Sequence, residues 1–279
     1  MSKNSIIDRK NRDQKIVKLA YEFLLSFDQI DKNTIDTQLE EVDNKSIDSL
    51  DDVFFRFAES LQNANMKANV IGKSINGIEN IKRVILPLSS MERFKDEKEL
   101  LREIFDKLKP TSKMTIDEHI QRSTKSLWYK YAKSLMEVRV FLNQFQDVED
   151  FKSWVEFFDN DERSRAALPM ILSNEIYGIG FALACDALKE LGYLNFGKPD
   201  VHLKEIFYEL GLSDSKKDYM VLKAIVRVSK NYSAIGRDIK PYHIDKLFWL
   251  IGSGKFYLFE GKDIGRQRDR FISYVKENI

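Results

Sequence analysis

The sequence predicts an all-α fold, and three observations carry the prediction. Apolar residues recur at three- and four-residue intervals along most of the chain. Five prolines and twelve glycines in 279 residues leave long uninterrupted stretches. Neither a sustained apolar–polar alternation nor an Asn-Gly turn flanked by strand-like runs occurs. Helical spacing first shows in Ile16, Leu19, Ala20, Phe23 and Leu24, and then in Val53, Phe54, Phe57 and Leu61. Asn76-Gly77 reads as a turn between helices, and Leu100, Ile104, Phe105 and Leu108 continue the helical period. Ile116 to Phe145 forms one long helical pattern carrying Trp128, Tyr129, Tyr131 and Phe141. Ala166 to Ile176 predicts a short helix, Phe181 to Leu191 a second, and Leu203, Ile206, Phe207 and Leu210 a third. Pro87, Pro110, Pro169, Pro199 and Pro241 fall at or near pattern edges, where helices begin or end. About a dozen helices are expected, without a repeat or a low-complexity segment.

The length allows one large domain or two modest ones, and 43% apolar with 12% aromatic residues marks an ordinary globular chain. Forty-five basic and 44 acidic side chains leave a net charge of +1. The pI of about 7.7 is below the range, above about 9, of dedicated nucleic-acid binders. The balance is uneven, however, because Lys216 to Ile279 holds 14 Lys/Arg against 7 Asp/Glu. Such a segment fits a polyanion contact or simply a solvated face. Cys185 is the only cysteine, which excludes an intrachain disulfide and a thiolate-held iron–sulfur cluster. The N-terminal MSKNSIIDRKNRDQK has no signal-peptide core, and no run approaches 18 apolar residues. A cytoplasmic protein with no membrane partner is the expectation.

Chemistry concentrates in EIYGIGFALACDAL, residues 175–188. Gly178-Ile179-Gly180 permits positive φ and close backbone approach, and leaves the next helix's first N–H groups open to an anion. Alone, it reads as a phosphate-binding turn or as a corner between packed helices. A dinucleotide loop is excluded, since it needs a preceding strand and a third glycine. Twenty residues on, Gly197-Lys198-Pro199-Asp200-Val201-His202-Leu203 has the form of a capped helix start. On its own Asp200 is an N-cap and His202 a first-turn surface residue. His119 and His243 stand in no metal-ligand spacing, so no metal site is expected. No Ser-His-Asp order or phosphate-binding Walker loop is present.

Taken together, the two stretches resemble the helix–hairpin–helix DNA glycosylases, the superfamily of endonuclease III, the adenine glycosylase MutY and the 8-oxoguanine glycosylases. The Gly-hydrophobic-Gly hairpin is matched by Gly178-Ile179-Gly180, and the Asp-x-His-hydrophobic helix start by Asp200-Val201-His202-Leu203. The Asp-Val-His form is most similar to the 8-oxoguanine variant. Ser60-Leu61-Gln62-Asn63-Ala64-Asn65-Met66-Lys67 resembles the family's early polar-amide stretch. Asp245 to Gly252 (DKLFWLIG) resembles its closing Leu-Trp-x-x-Gly helix. The likeness runs from about residue 50 to 255, with 88–150 as inserted helices that it does not guide.

The resemblance implies two helical lobes with a DNA cleft between them. Residues 1–50 would pack with the C-terminal lobe, 51–196 would form the lobe bearing the hairpin, and 197–279 the C-terminal lobe. It further implies hydrolysis of the N-glycosidic bond of a damaged or modified base flipped out of DNA. The setting would be base-excision repair or defence against phage DNA with modified bases. Asp200 would stabilise positive charge on the sugar and orient water. Gly178, Ile179, Gly180 and His202 would hold the DNA backbone, and Gln62 or Asn63 would fill the vacated stack. In family members the hairpin carbonyls often hold a monovalent cation; no other cofactor and no protein partner is implied.

Glycosylases that also cut the strand carry a lysine two residues after the second hairpin glycine, where this chain has Ala182. The expected activity is therefore monofunctional, with Lys198 the alternative source of lyase chemistry. Asp186 occupies the position of a base-pocket residue, with Tyr177, Phe181, Trp128 and Tyr129 as aromatics able to stack on a base. Each has a competing reading, Asp186 as a paired carboxylate and the aromatics as core. A non-catalytic DNA-binding hairpin protein is the alternative function. An unrelated all-α interaction protein is a third, and Asp200 discriminates, because a pure binder has no use for a carboxylate beneath the sugar.

Overall fold

The computed structural model describes residues 3–41, 46–64, 70–234 and 238–279. Its regular elements are helices, with no β-strand among the described residues. In chain order they are α1 (Lys3–Leu25), α2 (Lys32–Glu40), α3 (Leu50–Leu61), α4 (Val70–Ser74), α5 (Lys82–Ile85) and α6 (Glu97–Leu108). Then come α7 (Ile116–Gln121), α8 (Leu127–Leu142), α9 (Val148–Asp159), α10 (Ala167–Glu175) and α11 (Phe181–Glu190). The last four are α12 (Val201–Glu209), α13 (Asp218–Ser233), α14 (Pro241–Ser253) and α15 (Arg268–Asn278). The chain divides into two compact units, one of Met1–Asn44 with Gly192–Ile279 and the other of Lys45–Leu191.

In the first unit α14 is the central helix, packed against α1, α2, α12, α13 and α15. Its sequence explains the placement, since Ile244, Leu247, Phe248, Leu250 and Ile251 bury apolar surface on several faces at once. Each such side chain contributes roughly 1.5–3 kcal/mol when fully buried. Pro241 opens the helix, and Gly254, at φ +70°, closes it with its N–H donating to Leu250 O at 2.8 Å. The Phe248 ring meets Phe207 of α12 and Phe271 of α15 at centroid distances of 5.2 and 6.0 Å. Asp13 of α1, 1% exposed, receives Arg227 Nε at 2.9 Å and Asn231 Nδ2 at 2.7 Å, so the buried charge is fully paired.

In the second unit α3 takes the central role, packing on α8, α9 and α11. Val53, Phe54, Phe57 and Leu61, spaced at three and four, are all buried. Tyr131 of α8 donates its hydroxyl to Ala58 O at 3.1 Å, and the Phe57 ring stands edge-on to Phe141. Helices α10 and α11 pack on each other across the connection 176–180, and α11 also packs on α3. That packing presents the connection at the end of a helix pair.

The single helix expected over Ile116–Phe145 is in fact two, α7 and α8, interrupted at 122–126. Ser126 stops the run by capping α8, its Oγ accepting Tyr129 N–H at 3.1 Å. The N–H groups of Lys125 and Ser126 turn back to Arg122 O, both at 2.8 Å. Buried His119 ties the break together, with Nδ1 at 2.7 Å from Ser126 Oγ and Nε2 at 2.9 Å from Ser112 Oγ. Apolar periodicity runs through such a break because both helices face the same core.

Candidate functional site

The hairpin belongs to the second unit. Gly178 has φ +84°, and a Cβ there would sit 2.6 Å from Ser134 Oγ, so conformation and space both require glycine. Ile179 between the glycines is buried and anchors the turn. Gly180 caps α11 with ordinary extended φ of −84°, and a Cβ on it would meet nothing within 4 Å. No side chain caps α11 at this end, leaving its first N–H groups for an outside acceptor.

One stripe of α8 supports the turn from behind. The Glu137 carboxylate accepts Tyr177 N–H, and Lys133 Nζ lies 4.2 Å from the Tyr177 ring centroid. Ser134 donates to Lys130 O at 2.9 Å, which sets the Oγ facing Gly178. Nothing in the local sequence of the hairpin points to these α8 residues; their helical spacing looked like that of any half-exposed helix.

Asp200 belongs to the first unit. Its Oδ1 caps α12, accepting His202 N–H at 2.8 Å and Leu203 N–H at 2.9 Å. The loop leading to it is held by α14. Lys198 N–H donates to buried Asp245 Oδ2 at 2.9 Å, and Tyr242 N–H donates to Leu194 O at 3.0 Å. Gly197 fits where a Cβ would lie 2.8 Å from Ile225 Cγ2 and 3.1 Å from Pro241 O. Asp200 as a residue is half-buried, with its Oδ1 committed to the cap.

His202 packs on α14 where Gly252 leaves room, since a Cβ there would lie 2.4 Å from His202 Cβ and 2.6 Å from Cγ. Its Nδ1 is buried with no hydrogen-bond partner among the described residues. Burial holds the imidazole pKa below its ordinary value; Asp200 pulls it up, and Arg266 and Arg268 push it down. A neutral ring follows near pH 7.

No protein-family model, curated protein or solved structure matches the chain.

Several expected site residues are placed otherwise than the sequence suggested. Gln62 does not project outward: it is 5% exposed, and its Oε1 accepts Gly72 N–H at 3.3 Å. Asn63 is half-buried just past the end of α3, and Asn65, Met66 and Lys67 lie outside the described residues. Trp128 is a core residue, 5% exposed and edge-on to Phe105 and Tyr131, because its position on α8 faces α6. Asp186 lies on the buried side of α11 and pairs with Lys189 at 2.9 Å. Tyr177 is 38% exposed and Phe181 half-buried, so these two of the candidate base-pocket residues stay partly exposed beside the hairpin. Tyr129 hydrogen-bonds Glu97, which with burial pushes its hydroxyl up to about 12. Ala182 is half-buried in the first turn of α11. Among the described residues no group of His, Cys, Asp and Glu is arranged to hold a metal ion. No helix among them is long and apolar enough to cross a membrane.

Proposed function

We propose that the chain is a monofunctional DNA glycosylase, hydrolysing the bond between deoxyribose and a damaged or modified base turned out of the duplex. The observation that carries this reading is the setting of Asp200. One carboxylate oxygen is engaged in the helix cap, the residue is half-buried and not sealed in the core, and Asp245 pins the loop before it. A rigid carboxylate can stabilise the oxocarbenium-like charge that develops on the sugar and orient the attacking water. Gly180 fits a DNA partner, because a Cβ built on it would meet no atom of the described residues within 4 Å, leaving room for a backbone to approach. A phosphate oxygen there would accept from the uncapped N–H groups of α11. The carbonyls of the Gly178–Gly180 hairpin are those that would hold a monovalent cation, which would offset phosphate charge at the turn. Ala182 supplies no amine, so base release leaves an abasic site without a Schiff base.

The biological setting is base-excision repair or removal of modified bases from phage DNA. The second reading, a non-catalytic DNA-binding hairpin protein, draws on the same cap, since capping alone would account for Asp200. The test is a panel of duplexes bearing modified bases, incubated with protein and then with hot alkali. Asp200→Asn is the control of choice, because asparagine caps as well as aspartate and leaves the fold intact. Alkali-labile sites formed by the wild type and at least about 100-fold slower by the variant are expected, a loss typical of removing one electrostatic group. Equal yields from both, or none with any duplex, favour the binding module. Borohydride trapping of a covalent complex would contradict the monofunctional assignment.

A further inference from the structure

Beside His202 the first unit holds a cavity of about 220 Å³ lined by His202, Gly252, Arg266, Arg268, Asp269 and Arg270. It is smaller than the roughly 300–1,000 Å³ of sites for drug-sized ligands and suits a single small group. Its charge is strongly one-sided, with three arginines against one carboxylate. Asp269 is taken by Arg268, whose Nε donates to it at 2.8 Å. The Arg270 guanidinium lies over the Phe23 and Phe27 rings, 5.7 and 5.2 Å from their centroids. Arg266 makes no ion pair among the described residues. Three arginines against one carboxylate leave the lining net positive, and an anion seated there would relieve the remaining repulsion.

Two neighbouring features favour an anion in the same place. Gln267, at the start of α15, makes no side-chain capping bond, so the first N–H groups of that helix receive no acceptor from their own cap. The buried, unpartnered Nδ1 of His202 is best left as a bare lone pair, because burying an unpaired N–H donor costs more than burying a weak acceptor. The proton then sits on Nε2, and the neutral imidazole remains a hydrogen-bond donor. Because Asp200 Oδ1 caps the N–H of His202, a group held at His202 has a fixed relation to the carboxylate.

We propose that this cavity is a phosphate seat for the DNA strand, in which Arg266 and Arg268 supply charge and the His202 Nε2–H supplies direction. The proposal rests on the DNA reading above and extends it to two arginines near the chain's C-terminus.

The test combines two measurements on the full chain. In the first, anisotropy of a labelled duplex is followed across a salt series for the wild type and for Arg266→Ala with Arg268→Ala. The double variant should bind about tenfold more weakly at moderate salt, and its log–log salt slope should fall by about one. Unchanged affinity and slope would overturn the proposal even with DNA binding established. In the second, the three histidine ring signals are followed by NMR as inorganic phosphate is added. The His202 signal, assigned by its loss in His202→Gln, should move in the wild type and stay still in the double variant. A phosphate response without any DNA binding would overturn the strand as the source of the anion and the DNA reading with it. Absence of any phosphate response, together with an unchanged slope, would overturn the seat itself.

Discussion

A methyl group on Gly252 would lie 2.4 Å from His202 Cβ, whereas one on Gly180 would meet no atom within 4 Å. The two glycines stand one in each unit, and they answer to different demands. Gly252 is a packing glycine, fixed by the side chain that crosses it. Gly180 is the N-cap of α11, with ordinary φ and no atom of the described residues packed where a Cβ would stand. Packing fixes the first glycine, whereas the second leaves open space at the start of a helix. On the proposed reading the DNA backbone takes that space.

The largest expected effect sharpens this contrast. Gly252→Ala should destabilise the first unit by about 2–3 kcal/mol, the cost of overpacking a filled site, as read from the urea midpoint. Gly180→Ala should change stability by less than about 0.5 kcal/mol while weakening duplex binding. Equal stability losses from both would break the distinction.

Next comes the loop under Asp200. Asp245→Ala removes the acceptor of Lys198 N–H and should cost about 1–2 kcal/mol, with base release slowed as well. Asp245→Asn, which keeps an acceptor oxygen, should recover most of both losses. A variant that loses stability but keeps full activity would show that the loop need not be rigid.

The smallest effect compares the units through pH. Burial holds His119 in the second unit, and His202 and His243 in the first, below their ordinary pKa of 6.5. All three are neutral in both states well above that value. As pH falls below about 6.5 the unfolded chain protonates first, so unfolding takes up protons and stability falls until the folded-state values are reached. The first unit, with two such histidines, should lose amide-exchange protection in α14 more steeply than the second loses it in α3. Equal slopes between about pH 6.5 and 5 would refute the difference.

Helical class was legible because burial on a helix leaves a periodic trace, as at Val53, Phe54, Phe57 and Leu61. The cap at Asp200 was legible because capping is local, acting over two and three residues. The break at 122–126 was not, since it depends on His119 reaching Ser112 and Ser126. Gln62 looked like a surface amide until the fold brought Gly72 against it.

By itself, then, the sequence determined helix identity, helix starts and the glycine pair that lets the chain turn at 178–180, all properties of neighbours along the chain. Only the tertiary structure decided that Asp245 holds the loop of Asp200, that Gly252 makes room for His202, and that Arg266 and Arg268 stand beside that ring. Those relations join residues dozens of positions apart, and no local pattern encodes a contact whose energy is realised only when the core around α14 closes.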